Sequence, residues 1–150
     1  MGCKMKNKIS TCLWYDGKAQ EAANFYVLLF KDARIIESNP MTTMFELDGH
    51  QYVAINGGPM YKFTEAISLI VNCETQAEID SFWSKLAEGG SEGQCGWLKD
   101  RYGLSWQVIP YSLGKMLQDP DREKSGRAFQ AMLQMKKLDI AALTKAFEGK

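Results

Sequence analysis

Histidine is almost missing from this chain of 150 residues, which holds one, His50. A nucleophile that needs an imidazole base therefore has a single residue to draw on, and a zinc, iron or manganese site would have to be built mostly from carboxylates. Charge imbalance is missing as well: 18 Lys and Arg offset 18 Asp and Glu, for a formal net charge of zero. With no basic stripe either, nothing attracts nucleic acid or an anionic membrane surface. No apolar run approaches the roughly 18–20 residues of a membrane span, and the opening MGCKMKNKIS lacks the apolar stretch of a signal peptide. The expectation is a cytoplasmic protein with no nucleic-acid or membrane partner. Four cysteines, Cys3, Cys12, Cys73 and Cys95, show no C-x-x-C spacing and are expected to be reduced thiols. Cys12 and Cys73 read as small buried hydrophobes, and Cys95, between Gly93 and Gly96, would need a nearby base to act as a nucleophile in a chain with one His.

What the chain has is a repeat. LWYDGKAQEAANFY at 13–26 is echoed by LIVNCETQAEIDSFW at 69–83, a separation of 56 or 57 residues. That period is too long for a solenoid and suits a small α+β module. In each copy a short apolar run (Ile9 to Tyr15; Ile67 to Val71) leads through a turn into a helical pattern ending in Phe25-Tyr26 or Phe82-Trp83. Asp16 and Asn72 precede the two helices as turn or cap formers. In the first helix Ala19, Ala22, Ala23, Tyr26, Leu29 and Phe30 recur at three- and four-residue steps, one stripe for burial against a sheet. Ile79, Phe82, Trp83 and Leu86 repeat this before Gly89-Gly90.

Three strand-like pieces follow the first helix, at 33–38, 42–47 and 51–56, each bounded by Pro, Gly, Asn or Asp. After the second helix the echo is looser: EGQCGW, WLKD, a turn at Arg101-Tyr102-Gly103, then LSWQVIP at 104–110. The fold class is α+β, two tandem βαβββ modules over about 8–57 and 66–110 in a single domain. Beyond Pro110 a helical tail, 111–150, is broken at Asp119-Pro120, and its last helix starts near Leu138-Asp139. Met116, Met132 and Met135 give that tail an apolar face for packing on the domain or a sister subunit.

The duplicated order, with LWYDGKAQEAANFY, FELDGHQYVAINGGP, CGWLKDRYGLSWQVIP and MLQMKKLDIAAL, resembles the PhnB-like branch of the vicinal oxygen chelate superfamily. That superfamily also holds glyoxalase I, bleomycin-resistance proteins and extradiol dioxygenases, and this branch often carries a demethylubiquinone methyltransferase label. The resemblance implies curved sheets forming an open, barrel-like cavity with helices outside, a small organic molecule inside, and a homodimer. Metal-using members take His and Glu ligands from the first and fourth strands of each module. Carried onto this chain, those places fall at Thr11, near Ala54, at Ile67 or Ser68, and at Gln107. None is His, Asp or Glu, so neither a catalytic metal nor another cofactor is expected. His50 reads as a turn residue.

The methyltransferase label meets a similar obstacle. The common S-adenosylmethionine fold puts a glycine-rich loop between a strand and a helix, whereas NGGP at 56–59 precedes no helix and EGGSEGQCG at 88–96 follows one. Alternation places Thr11, Leu13 and Tyr15 on one face of the first strand, Tyr52, Ala54 and Asn56 on one face of the fourth, and Ser105 and Gln107 on one face of the last. By the resemblance these faces, with Ser68, point inward, with Trp97 and Trp106 adding flat surface at the rim. The expected ligand is an uncharged or weakly polar organic molecule held without metal. The competing reading is a metal-dependent lyase, isomerase or dioxygenase, which would require Glu46, His50, Glu65 or a partner subunit's residues to reach the cavity.

Overall fold

The alternating segments form short strands, two sets of four, each set a mixed sheet with helices packed on it. The structure is a computed structural model that describes residues 6–150. It divides into two compact units, one ending at Phe63 and the other beginning at Thr64.

The first unit runs β1 (Thr11–Tyr15), α1 (Ala19–Val27), β2 (Ala33–Ser38), β3 (Thr42–Leu47) and β4 (His50–Asn56). Its open sheet has the order β1-β4-β3-β2, with β1 parallel to β4 and the other pairs antiparallel. Asp48-Gly49 joins β3 to β4 with φ of 48° and 81°, the double left-handed geometry that makes Asp-Gly a tight hairpin turn. Helix α1 buries Ala19, Ala22, Ala23 and Tyr26. It stops at Val27, before the Leu29 and Phe30 of the expected stripe. The reason is local: the Leu28 and Leu29 amides turn back to Phe25 O and Tyr26 O, three residues away, which tightens and ends the helix. Neither Asp16 nor any other N-cap side chain satisfies the start of α1. Asn56 Oδ1, from the end of β4, accepts from Ala19 N at 2.8 Å.

The second unit repeats the order with β5 (Ser68–Cys73), α2 (Gln76–Ala87), β6 (Ser91–Glu92), β7 (Trp97–Lys99) and β8 (Ser105–Pro110). Its sheet is β5-β8-β7-β6, with β5 parallel to β8. Thr75, not Asn72, caps α2, its side chain accepting from Glu78 N at 3.2 Å. The two βαβββ modules expected from the repeat are present.

The tail forms α3 (Tyr111–Leu117), α4 (Arg122–Leu133) and α5 (Ile140–Glu148). Asp121 and Asp139 cap the last two. Leu113, Met116, Ala128, Leu138 and Leu143 form a buried cluster, with Met132, Met135 and Ile109 of β8 packed against it. The methionine face is thus used within the chain itself. The tail also holds the turn before β7: Cys95 N donates to Met135 O at 2.7 Å and Gly96 N to Lys136 O at 2.8 Å.

Candidate functional site

A strand residue faces either the helix of its unit or the opposite side, and this decides what it can do. In the first unit Tyr15 and Tyr26 are joined through their hydroxyls at 3.1 Å. Tyr26 packs near Phe45, which stacks on Tyr52 at 5.1 Å. These contacts place the face carrying Thr11, Leu13, Tyr15, Tyr52, Ala54 and Asn56 against α1. All but Thr11 and Asn56 are buried, and Asn56 closes the start of α1. The expectation that this face points away from the helices is therefore corrected: these six residues lie on the helix-facing side. The opposite face carries Cys12 opposite Val53, and Trp14 opposite Ile55.

Trp14 is held by the segment after β4. Its indole N–H donates to Gly58 O at 2.9 Å, and its ring meets Tyr61 edge-on at 5.0 Å. A Cβ on Gly57 would lie 2.3 Å from that ring, so Gly57 is there to let the backbone approach. Gly90 likewise sits where a Cβ would be 2.0 Å from Lys99 O. The two glycine pairs thus serve chain approach and turning.

In the second unit the face turned away from α2 does carry expected residues. Ser68 pairs with Ser105, Ile70 with Gln107, Trp97 with Gln107, and Lys99 with Ser105, so these side chains share one side of the sheet. Gln107 Nε2 donates to Ser68 Oγ at 3.0 Å. Trp106 does not join them. It is 2% exposed on the helix-facing side, and its indole N–H donates to Asp100 Oδ2 at 2.9 Å. Its expected place at a pocket rim is corrected to the core.

A pocket of about 210 Å³ opens on this face, lined in part by Glu65, Trp97, Lys99 and Ser105. Ser105 is fully buried and its hydroxyl has no hydrogen-bond partner among the described residues. Lys99 Nζ forms an ion pair with Glu65, and the Lys99 ammonium holds the Glu65 carboxyl below its usual pKa, chiefly by hydrogen bonding to the charged form. Lys99 is not among the site residues expected from the sequence. The signal was available in WLKD, where Trp97 and Lys99 stand two apart and therefore on one face.

The strand positions that would hold a metal do not fit one. On the faces away from the helices the first and fourth strands carry Cys12, Val53, Ser68, Ile70 and Gln107, with no imidazole or carboxylate among them. The other candidates do not supply a set of ligands. Glu46 accepts from Arg34 Nε at 3.3 Å, Glu65 pairs with Lys99, and His50 is exposed at the β3–β4 turn. Among the described residues no three His, Cys, Asp or Glu side chains form a metal-holding group. Cys12 proves exposed rather than buried, Cys73 is buried as expected, and Cys3 lies outside the described residues. No helix among the described residues is long and apolar enough to cross a membrane.

Residues 7–109 match the family described as 3-demethylubiquinone-9 3-methyltransferase. The tail helices lie beyond that match. Among solved structures, the PhnB protein of Bacillus cereus is 36% identical, with a TM-score of 0.63, covering 69% of this chain and 99% of that one. A protein from Pseudomonas aeruginosa is 21% identical, with a TM-score of 0.57 over 70% of this chain and 98% of that one. The fosfomycin resistance protein FosX of Listeria monocytogenes, solved with Mn(II) and sulfate, is 13% identical with a TM-score of 0.55 over 77% and 98%. The last two share the fold. No curated protein matches the chain.

Proposed function

We propose a function from one premise: the chain belongs to the PhnB-like family described as 3-demethylubiquinone-9 3-methyltransferase, in the vicinal oxygen chelate superfamily. It binds a small organic molecule without a divalent metal, on the face of the second unit that carries Ser68, Trp97, Ser105 and Gln107. It does so as a cytoplasmic homodimer.

The observation that carries this reading is the Gln107–Ser68 hydrogen bond of 3.0 Å. At the first- and fourth-strand places where metal-using relatives keep ionic ligands, the second unit has an amide and a hydroxyl satisfying each other. Such a pair orients a ligand by hydrogen bonds, while the Trp97 indole offers a flat apolar wall. A primary amide and a hydroxyl do not replace imidazole or carboxylate in holding zinc, iron or manganese. Methyl transfer gains no support from the site, because the glycine pairs accommodate Trp14 and the Lys99 backbone.

Elemental analysis of protein purified without chelator or a metal-affinity tag tests the metal-free reading. Only a substoichiometric trace of any divalent transition metal is expected. A stoichiometric ion overturns it in favour of the metal-dependent enzyme. Solution mass by light scattering tests the dimer, and a monomer mass at micromolar concentration overturns that part alone.

A further inference from the structure

The pocket lined by Glu65, Trp97, Lys99 and Ser105 holds three unused chemical features. The first is a donor: Ser105 Oγ–H, fully buried, has no acceptor among the described residues. A buried hydroxyl left unsatisfied is destabilising, so an acceptor placed there is favoured. The second is a cation whose counter-ion is replaceable. Lys99 lies directly across the β7–β8 ladder from Ser105. Its partner Glu65 is 61% exposed at the side chain and precedes β5 rather than belonging to the sheet. A pair so open to water is weak, so a competing anion displaces it at small cost. The third is the Trp97 indole, two residues from Lys99 on the same strand face.

Size and charge then select the occupant. A pocket of about 210 Å³ is below the roughly 300–1,000 Å³ of sites for drug-sized ligands. It exceeds the ~150 Å³ that encloses benzene. One ring with one small substituent fits. A single negative charge takes the place of the Glu65 carboxylate on Lys99, releasing Glu65 to water, and its oxygens supply the acceptor that Ser105 lacks.

We propose that this pocket takes a one-ring aromatic monocarboxylate. Its carboxylate replaces Glu65 on Lys99 Nζ and accepts from Ser105 Oγ, while its ring lies against Trp97. This rests on the small-molecule reading of the same face and names the chemical class of the ligand. No covalent step is involved. Glu65 acts as an internal stand-in that keeps Lys99 neutralised while the pocket is empty.

Titration of the full chain with benzoate and with benzamide, followed by calorimetry and ligand-observed NMR, tests the assignment. The two probes share ring and size and differ in charge. Benzoate is expected to bind about tenfold or more tightly than benzamide, as a charge-assisted hydrogen bond implies. Glu65→Gln removes the competitor and is expected to tighten benzoate severalfold, a gain that general damage to the fold does not produce. Lys99→Met is expected to erase the preference for benzoate over benzamide, and Ser105→Ala to weaken benzoate about tenfold. Weaker benzoate binding in Glu65→Gln, or an unchanged preference in Lys99→Met, overturns the proposal. If both probes bind equally and Trp97→Ala abolishes both, the carboxylate class is wrong and the small-molecule reading stands. Binding of neither removes both.

Discussion

The Trp106 indole N–H donates to Asp100 Oδ2 at 2.9 Å, with the carboxylate 2% exposed and the indole equally buried. Oδ1 of the same carboxylate accepts from Tyr102 N at 2.8 Å and Leu104 N at 3.0 Å. One side chain thus closes the Arg101-Tyr102-Gly103 turn and pins the main tryptophan of the second core. Asp100→Asn keeps the shape but sets an amide N–H₂ against N–H donors. It is expected to cost about 2–3 kcal/mol, since hydrogen bonds to a charged group are worth about 1.5–3. Trp106→Phe removes one donor and leaves a smaller ring in the core. A double-mutant cycle by urea unfolding should return a coupling energy near 1–2 kcal/mol, and purely additive losses would show that the two groups do not interact.

A second clamp joins tail to module. Gln76 Nε2 donates to Leu138 O at 3.0 Å, and its Oε1 accepts from Ile140 N at 2.8 Å, so one amide serves two backbone groups at the start of α5. Lys137 reinforces it with a 2.9 Å ion pair to Asp80. Gln76→Ala leaves both backbone groups to water or unsatisfied and is expected to cost about 1–3 kcal/mol. The loss should be local at first. Limited proteolysis between residues 134 and 139 should accelerate before global unfolding shifts, and equal protection in wild type and variant would contradict the clamp.

The glycines separate into those that must be glycine and those that need not. Gly90→Ala brings a Cβ to 2.0 Å from the backbone oxygen of Lys99, and a backbone oxygen cannot rotate away. A loss of about 1–3 kcal/mol or more is expected. Gly126 lies inside α4 with open space around its Cβ direction. There, Gly126→Ala should stabilise by about 0.5–1 kcal/mol, because glycine carries the larger entropy loss in a helix interior. Thermal melts of the two variants should move in opposite directions, and a destabilised Gly126→Ala would refute the contrast.

The sequence carried the helices and the duplication because the stripes that pack on the sheets, such as Ala19, Ala22, Ala23 and Tyr26, repeat at helical spacing. It carried the face of β8 because Ser105 and Gln107 alternate cleanly with Trp106 and Val108. It did not carry the faces of β1 and β4. In TCLWY and QYVAIN both alternations are apolar or aromatic, so hydrophobicity does not say which side meets α1, and a shift of one residue exchanges every side chain. The ladder settles it: Thr11 pairs with Tyr52 as Leu69 pairs with Trp106. The counterpart of Gln107 in the first unit is Val53, not Ala54. The face of Lys99 is legible in WLKD, but its pairing with Glu65, 34 residues away in the chain, exists only through the fold.

The same geometry orders the thiols by reactivity. Cys73 is fully buried at the end of β5, and burial, assisted by the charge of Glu78, pushes its pKa from 9.0 to about 11. Cys12 is exposed, and desolvation raises its thiol more modestly. With Ellman's reagent at pH 8, Cys12 should react in the native protein and Cys73 only on unfolding, because the thiolate is the reacting form. The raised pKa of Cys73 also fixes a sign for alkaline stability. Below about pH 9 both folded and unfolded thiols are protonated, and the stabilising preference for the neutral form is intact. As pH rises from 9 toward about 11 the unfolded chain loses this proton while the folded chain keeps it, so stability falls. Each pKa unit is worth about 1.4 kcal/mol, which gives a loss of roughly 2–3 kcal/mol across that window. Cys73→Ala should flatten this part of the pH profile in urea unfolding, and an equally steep decline in that variant would assign the alkaline loss to other groups.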